Sequence, residues 1–514
     1  MKGGKQDLGD FQTPETLAGA VCELLKQRGV RPDVLVEPAC GEGRLVTEAI
    51  KAFPTLQDAY CVELQASHEQ AFWQNVSPLA SSVKVRFIIG DAFKHEFPVD
   101  DFSGKEVLIL GNPPWVTNTQ QSRLGSTNVP RKSNVKRVPG IEAMTGKGNF
   151  DIAEALIARV ANQFAGMNAV IGMICKSSVA RNLVRDARLL DLRLSGMELH
   201  AFDAGKVFGV AASGAFFIAR IGKVAEKTCA VYDLFDQNSA RPPFGWYKGR
   251  FVSDIRAYKE VASIDGRCPC PWRQGLKHDA VKVMLLKRST NGTFTNGFGE
   301  KVSLETDLIF PMVKGSALRD PVVCTSDTFT IVTQANLSDD TAGLQVTAPR
   351  AWQYLVNHAG ILDGRKSAIY KKRPRFSLFG IGEYAFKPFK IGIASFYKDP
   401  RFSLVFPVGG KPAMLDDTCY YLAFENLQEA LCTLVALDSP PARAFLEAIT
   451  FRDGKRIYTK EILSRLNLSL LLQHPGFEAR ANSRLKAITA RLPIQVHLVD
   501  VVEARDRLLR VWTR

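Results

Sequence analysis

What the sequence lacks narrows the field first. In 514 residues no run approaches the roughly 18 uninterrupted apolar residues that a membrane-spanning helix needs. The opening Met1-Lys2-Gly3-Gly4-Lys5-Gln6 leads into polar sequence rather than an apolar leader, so a soluble cytoplasmic protein with no membrane partner is expected. The 10 cysteines include no Cys-x-x-Cys pair. Cys268-Pro-Cys270, with His278 downstream, has no second ligand pair at zinc spacing, so the thiols read as reduced and mostly buried, and no metal is expected. Repeats and low-complexity runs are missing too. With 46% apolar, 9% aromatic and 23% charged residues, the chain reads as ordered and long enough for two to four domains.

The charge is unevenly spread. Residues 1–235 hold 27 Lys+Arg against 25 Asp+Glu, and residues 236–514 hold 40 against 27, so nearly all of the net +15 lies in the second part. A local excess of positive charge favours a polyanionic partner. The first part alternates helix-like and strand-like segments. Apolar residues at 17, 21, 24 and 25 predict a helix over Pro14 to Arg28. Strands are predicted at Val34 to Val36, Ala59 to Val62, Val85 to Ile89, Val107 to Leu110, Ala169 to Ile174 and Gly214 to Ile221, with a helix over Asn149 to Phe164. Strands separated by helix-length segments predict an α/β fold with a parallel, doubly wound sheet. After about Asp236 to Pro243 the rhythm becomes irregular and Pro- and Gly-rich, which predicts a second, mixed α+β domain over residues 236–514.

Three predicted strands end in acids. The first runs into Glu37-Pro38-Ala39-Cys40-Gly41-Glu42-Gly43, whose small residues let the backbone approach a ligand at a sheet edge. The turn lacks a complete Gly-x-Gly-x-x-Gly pattern, which disfavours pyrophosphate. Glu63 ends the second strand, where a carboxylate can accept hydrogen bonds from ribose hydroxyls. Asp91-Ala92-Phe93 follows the third, placing an acceptor for an exocyclic amine beside a ring. Carboxylates repel phosphates, so the set suits a cationic adenosine ligand. The fourth strand leads into Gly111-Asn112-Pro113-Pro114-Trp115. Two prolines fix the backbone. Asn112 and the Pro113 carbonyl offer acceptors for both protons of an amino group, and Trp115 offers a stacking face. Positioning a nitrogen lone pair against an already activated methyl needs neither metal nor strong base.

In order and content these motifs resemble the gamma-type N6-adenine DNA methyltransferases of restriction–modification systems, over roughly residues 10–220. The resemblance implies a Rossmann-like methyltransferase sheet and S-adenosyl-L-methionine as cofactor. It implies cofactor contacts from Thr13 (followed by Pro14), Glu37, Pro38, Ala39, Gly41, Glu63, Asp91, Ala92, Phe93 and Asn112. It implies catalysis by Asn112, Pro113, Pro114 and Trp115, with Phe208 of Val207-Phe208 as a second base-stacking ring. A flipped-out adenine in double-stranded DNA is then the substrate, and residues 236–514 are the target-recognition domain. Trp115 stands where the family often has Tyr or Phe, and Lys176 where it often has proline. RNA or cytosine-N4 methylation, and a catalytically silent DNA-binding subunit, remain alternatives.

Basic side chains mark candidate DNA contacts. Arg131, Lys132, Lys136 and Arg137 lie in a stretch without apolar rhythm between Trp115 and Asn149. Arg365 to Phe402 holds ten Lys or Arg, two acids and nine aromatics, with Lys371, Lys372, Arg373 and Arg375 at its core. The same pattern suits a sheet with aromatics inside and charges outside. Trp272 to Lys277 is a weaker candidate. No acid–acid–lysine nuclease set is apparent, so any restriction endonuclease is expected on a separate chain.

Overall fold

A computed structural model describes residues 11–115, 151–222, 224–236, 239–454 and 456–512. The chain divides into two compact units, Met1–Arg256 and Ala257–Arg514.

The first unit is built on a ten-stranded sheet. In chain order its strands are β1 (Val34–Glu37), β2 (Asp58–Glu63), β3 (Lys84–Ile89), β4 (Val107–Gly111), β5 (Ala169–Lys176), β6 (Leu194–Asp203), β7 (Ser213–Ile221), β8 (Thr228–Asp233), β9 (Arg241–Tyr247) and β10 (Arg250–Val252). Their spatial order is β10-β9-β8-β6-β7-β5-β4-β1-β2-β3. Strands β1 to β5 are mutually parallel where they pair. β1 is buried along its whole length, as a strand covered on both faces must be. On one face Leu35, Ala59 and Leu108 meet the buried stripe Leu17, Val21 and Leu25 of helix Glu15–Gln27. On the other, Tyr60 meets Phe102, which stacks on Phe164 at the end of helix Ile152–Gln163. This is the doubly wound, Rossmann-like α/β arrangement expected for the first unit.

Several features depart from the predicted parallel sheet: β8, β9 and β10 were not among the predicted strands, and β9 runs antiparallel to both β8 and β10. β7 runs antiparallel to both β5 and β6. Only residues 204–212 link β6 to β7, too few for the dozen or more that a parallel crossover needs. β6 itself was not predicted. Its register shifts between Ser195 and Glu198 around Gly196, so the alternation that marks a strand is broken.

The second unit is mixed α+β. Its strands are β11 (Arg273–Gln274), β12 (Leu285–Arg288), β13 (Phe294–Thr295), β14 (Lys301–Val302), β15 (Ile309–Val313), β16 (Val322–Val323), β17 (Thr328–Ile331), β18 (Phe389–Ala394), β19 (Ser403–Val405), β20 (Met414–Leu415) and β21 (Cys419–Phe424). They form two sheets, β11-β21-β18-β19-β16 and β14-β13-β12-β17-β15-β20. Helices follow, and the first, Leu427–Leu437, is apolar on nearly every side and correspondingly buried. No helix among the described residues is long and apolar enough to cross a membrane.

An ion-pair network ties the first helix to the far side of the sheet. Arg28 donates from Nε to both carboxylate oxygens of Glu198, at 3.0 and 2.8 Å. The fully buried His200 lies 2.7 Å from the same carboxylate. Burial pushes the Glu198 carboxyl up, but hydrogen bonds from His200 and Arg28 outweigh it and hold the group below its ordinary range. A depressed carboxyl contributes stability above its unfolded value and loses it as pH falls. Glu198→Gln is therefore expected to lower unfolding free energy at pH 7 by roughly 1–3 kcal/mol, the cost of leaving a charged hydrogen-bond partner unmatched. Denaturant melts should show this gap closing as pH falls below about 4.5; a gap that persists there contradicts the assignment.

Candidate active site

The parallel strands β1, β2, β3 and β4 end along one edge of the sheet. Register sets Glu37 beside Cys61 and Glu63 beside Ile89, and the Gly90 N–H donates to the Glu63 carbonyl at 2.8 Å. The predicted acids Glu37, Glu63 and Asp91 therefore share that edge with Asn112, which follows β4 directly.

Each acid is held differently. Glu37 is 2% exposed, and its Oε2 has no hydrogen-bond partner. Burial, with the nearby Cys61 and Glu63, pushes its carboxyl well above the usual range. Glu63 accepts from the backbone N–H of Gly41 at 2.9 Å and of Gln65 at 2.8 Å, so it braces the glycine turn and keeps lone pairs to spare. Asp91 accepts from the Phe93 N–H at 3.0 Å and lies 3.6 Å from Lys94, with its side chain about a third exposed. Ala92 is buried beside it. Leu64, next to Glu63, and Ile89 are about half exposed at this edge and offer apolar surface that sequence reasoning passed over.

The turn between β1 and helix Arg44–Ala52 requires its glycines. Gly41 and Gly43 have φ of +50° and +76°. A Cβ on Gly43 would stand 2.7 Å from the Phe72 ring, and one on Gly41 would stand 2.7 Å from Gln12 Oε1. Gln12 reaches over the turn and accepts from the Glu42 N–H at 3.1 Å. Pro38 faces Gly111 across β1 and β4, where a Cβ on Gly111 would lie 3.4 Å from it.

Asn112 is bonded at both ends of its amide. Nδ2 donates to the Phe11 carbonyl at 3.0 Å and to Thr13 Oγ1 at 3.2 Å, while Oδ1 accepts from Trp115 Nε1 at 3.0 Å. A carbonyl only accepts and an indole N–H only donates, so these partners fix which way the amide faces. Oδ1 keeps one lone pair. Thr13 thus meets Asn112, and Phe11 joins the site with no comparable signal in sequence. Trp115 is 5% exposed and meets Phe208 edge to face, centroids 5.2 Å apart, with Phe11 touching both rings. A planar base between two rings needs about 7 Å, two van der Waals separations. Trp115 and Phe208 must part before a base can lie between them. Lys176, at the end of β5, forms a 2.8 Å ion pair with Asp151, which caps helix Ile152–Gln163.

Outside this edge the predicted contacts scatter. Arg131, Lys132, Lys136 and Arg137 lie outside the described residues. Lys371, Lys372 and Arg373 are exposed in a turn of the second unit. Arg375 pairs with Asp363 at 2.7 Å and lies over Phe376. The aromatics of this stretch mostly serve packing: Phe376 and Phe402 are buried, Tyr384 and Phe386 pack against a core, and Phe396 stays exposed. Trp272 is fully buried, which removes it from the candidate contacts. Among the described residues no group of three or more His, Cys, Asp or Glu could hold a metal.

No family model matches the chain. The type II methyltransferase M.NspV from a Nostoc species is 35% identical over 470 residues, which is 91% of this chain and 97% of that protein. Among solved structures, the type IIL restriction-modification enzyme MmeI in complex with DNA is similar at a TM-score of 0.55 with 12% identity, covering 96% of this chain and 72% of that one.

The glycine turn yields a test of the site's packing. Gly43→Ala should destabilise the fold by roughly 1–3 kcal/mol, combining left-handed backbone strain with a clash. Gly29 has nearly the same φ, +77°, but open space around its Cβ, so Gly29→Ala isolates the backbone part. Equal losses in the two variants would show that Phe72 does not crowd the turn.

Proposed function

The chain belongs to the type II methyltransferases of restriction–modification systems, and on that premise we propose that it methylates the N6 amino group of a flipped-out adenine in double-stranded DNA. Enzymes of this class depend on S-adenosyl-L-methionine. The edge residues fit that molecule. Glu37 presents a buried carboxyl oxygen with no partner, the glycine turn lets backbone approach, and the carboxylates of Glu63 and Asp91 suit a cationic ligand. Glu37 and the turn Pro38-Ala39-Gly41 would hold its amino-acid part together with Thr13, Glu63 its ribose, and Asp91, Ala92 and Phe93 its adenine. When bound, it supplies a methyl group activated by the sulfonium charge.

The protein's own contribution is orientation. The remaining lone pair of Asn112 Oδ1 and the Pro113 carbonyl accept the two amino protons, which turns the nitrogen lone pair away from them. Pro113 and Pro114 have no N–H to compete for those acceptors. The amide of Asn112 needs no reorganisation, because Phe11, Thr13 and Trp115 already fix it; this fixed amide is the observation that carries the reading. A base in a duplex must be rotated out to reach a sheet edge. Phe208 then moves away from Trp115, which keeps its bond to Asn112, to receive it. Lys371, Lys372, Arg373 and Arg375, with Arg131, Lys132, Lys136 and Arg137, are proposed to meet the DNA backbone. A cognate endonuclease on a separate chain belongs to the same proposal.

Asn112→Ala is expected to reduce methyl transfer to duplex DNA by about a hundredfold or more, as loss of an aimed polar group does, while cofactor affinity stays near normal. Glu63→Ala and Asp91→Ala should do the reverse first, weakening cofactor binding by about tenfold or more in calorimetry. An Asn112 variant with more than about a tenth of normal turnover contradicts the assigned role. The triple change of Lys371, Lys372 and Arg373 to Ala should weaken duplex binding and reduce its salt slope by up to about 0.9 for each phosphate no longer neutralised. An unchanged slope removes this turn from the DNA surface.

A further inference from the structure

The second unit contains a cavity of about 520 Å³ into which five arginines converge: Arg319, Arg401, Arg443, Arg480 and Arg484. One carboxylate, Asp438, shares the lining. The walls come from different parts of the chain. Strand β19, the end of helix Leu427–Leu437, the start of helix Pro440–Ile449, and helix Phe477–Ile488 all contribute.

Such a gathering is unfavourable by itself. Guanidinium groups do not shed their protons in proteins, so their mutual repulsion cannot be relieved by titration, and a concave low-dielectric wall concentrates the field. Asp438, 2.8 Å from Arg484, and Asp399, 3.8 Å from Arg401, offset only part of the charge. Two arginines are nevertheless held in place. Arg480 donates to the carbonyls of Pro475 and His474 at 2.8 and 3.3 Å. Arg319 donates to the Tyr397 hydroxyl at 3.1 Å and lies over its ring. The Nε groups of Arg480 and Arg484 are buried without a hydrogen-bond partner. A buried donor left unmatched costs free energy that an anion in the cavity would recover. The N-terminal end of helix Pro440–Ile449, where Pro440 lines the wall, adds further positive potential.

We propose that this cavity is a phosphoryl-binding site. Guanidinium forks match pairs of phosphate oxygens, and several of them around one space suit a multiply charged anion better than a single carboxylate. Two sources carry this chemistry: a backbone phosphate of bound DNA, and a free phosphorylated small molecule. None of the lining residues is among those proposed for methyl transfer, and the DNA source rests on the proposed function.

The test uses the full chain and changes only Arg401 and Arg443, which are exposed. Inorganic phosphate and pyrophosphate are titrated calorimetrically into the wild type and into the Arg401→Gln/Arg443→Gln variant. Saturable binding of pyrophosphate, tighter than phosphate and weakened about tenfold or more in the variant, is expected for loss of charged hydrogen bonds. Binding of a labelled duplex to the same two proteins separates the sources. A variant with weaker duplex binding and a shallower salt slope, together with competition by pyrophosphate, identifies the DNA backbone. Unchanged duplex binding alongside weakened pyrophosphate binding identifies a free phosphorylated ligand. The proposal is overturned if pyrophosphate fails to bind the wild type, or binds both proteins equally.

Discussion

The constraint on which the site depends is the parallel pairing of β1 between β2 and β4. It brings residues from four distant segments to one edge, at the strand ends where open α/β sheets bind ligands. A slip of one residue would turn every side chain of β1 to the opposite face. The slip is prevented because both faces of β1 are packed, Leu35 against the first helix's side and Val34 and Val36 on the other. The chemistry inherits its precision from that packing. Glu63 braces the glycine turn, the turn approaches Gln12, and Phe11 and Thr13 from the same short segment fix the Asn112 amide. Beside the sheet edge, Phe11, Thr13 and Trp115 thereby orient one amide oxygen.

Charge is divided between the two parts of the chain in a way that matches two kinds of ligand. The near-neutral first part gathers carboxylates at the sheet edge, and these favour a cation. The basic second part exposes Lys371, Lys372 and Arg373 and lines a cavity with arginines. Exposed lysines on a turn provide long-range, salt-sensitive attraction. Arginines in a concavity provide short-range, geometrically selective contacts. The two features are therefore separable by salt: affinity from the turn should fade first as ionic strength rises.

Much of the site was legible in sequence because its signals are local. Acids at strand ends and Asn-Pro-Pro-Trp are each read from a few adjacent residues, and the strands carrying them are apolar and short. What was missed depends on distance in the chain. Phe11 and Gln12 acquire their roles only by meeting residues that follow β4 and β1. The direction of β7 depends on a short connection, and β6 was hidden by its bulge. The aromatics between Arg365 and Phe402 show how composition misleads: Phe376 and Phe402 fill cores and only Phe396 among the phenylalanines there is largely exposed. Of the five cavity arginines only Arg480 and Arg484 are neighbours in sequence, one turn apart on helix Phe477–Ile488; Arg319, Arg401 and Arg443 lie far from them and from one another along the chain.

The central claim is that the fixed Asn112 amide orients an adenine amino group for methylation. The most direct measurement is incubation of the wild-type chain with genomic DNA and isotopically labelled S-adenosyl-L-methionine, followed by digestion to nucleosides and mass spectrometry. The expected result is label in N6-methyladenine alone. Label in N4-methylcytosine, label only in RNA when both nucleic acids are offered, or no labelled nucleoside at all would contradict that claim.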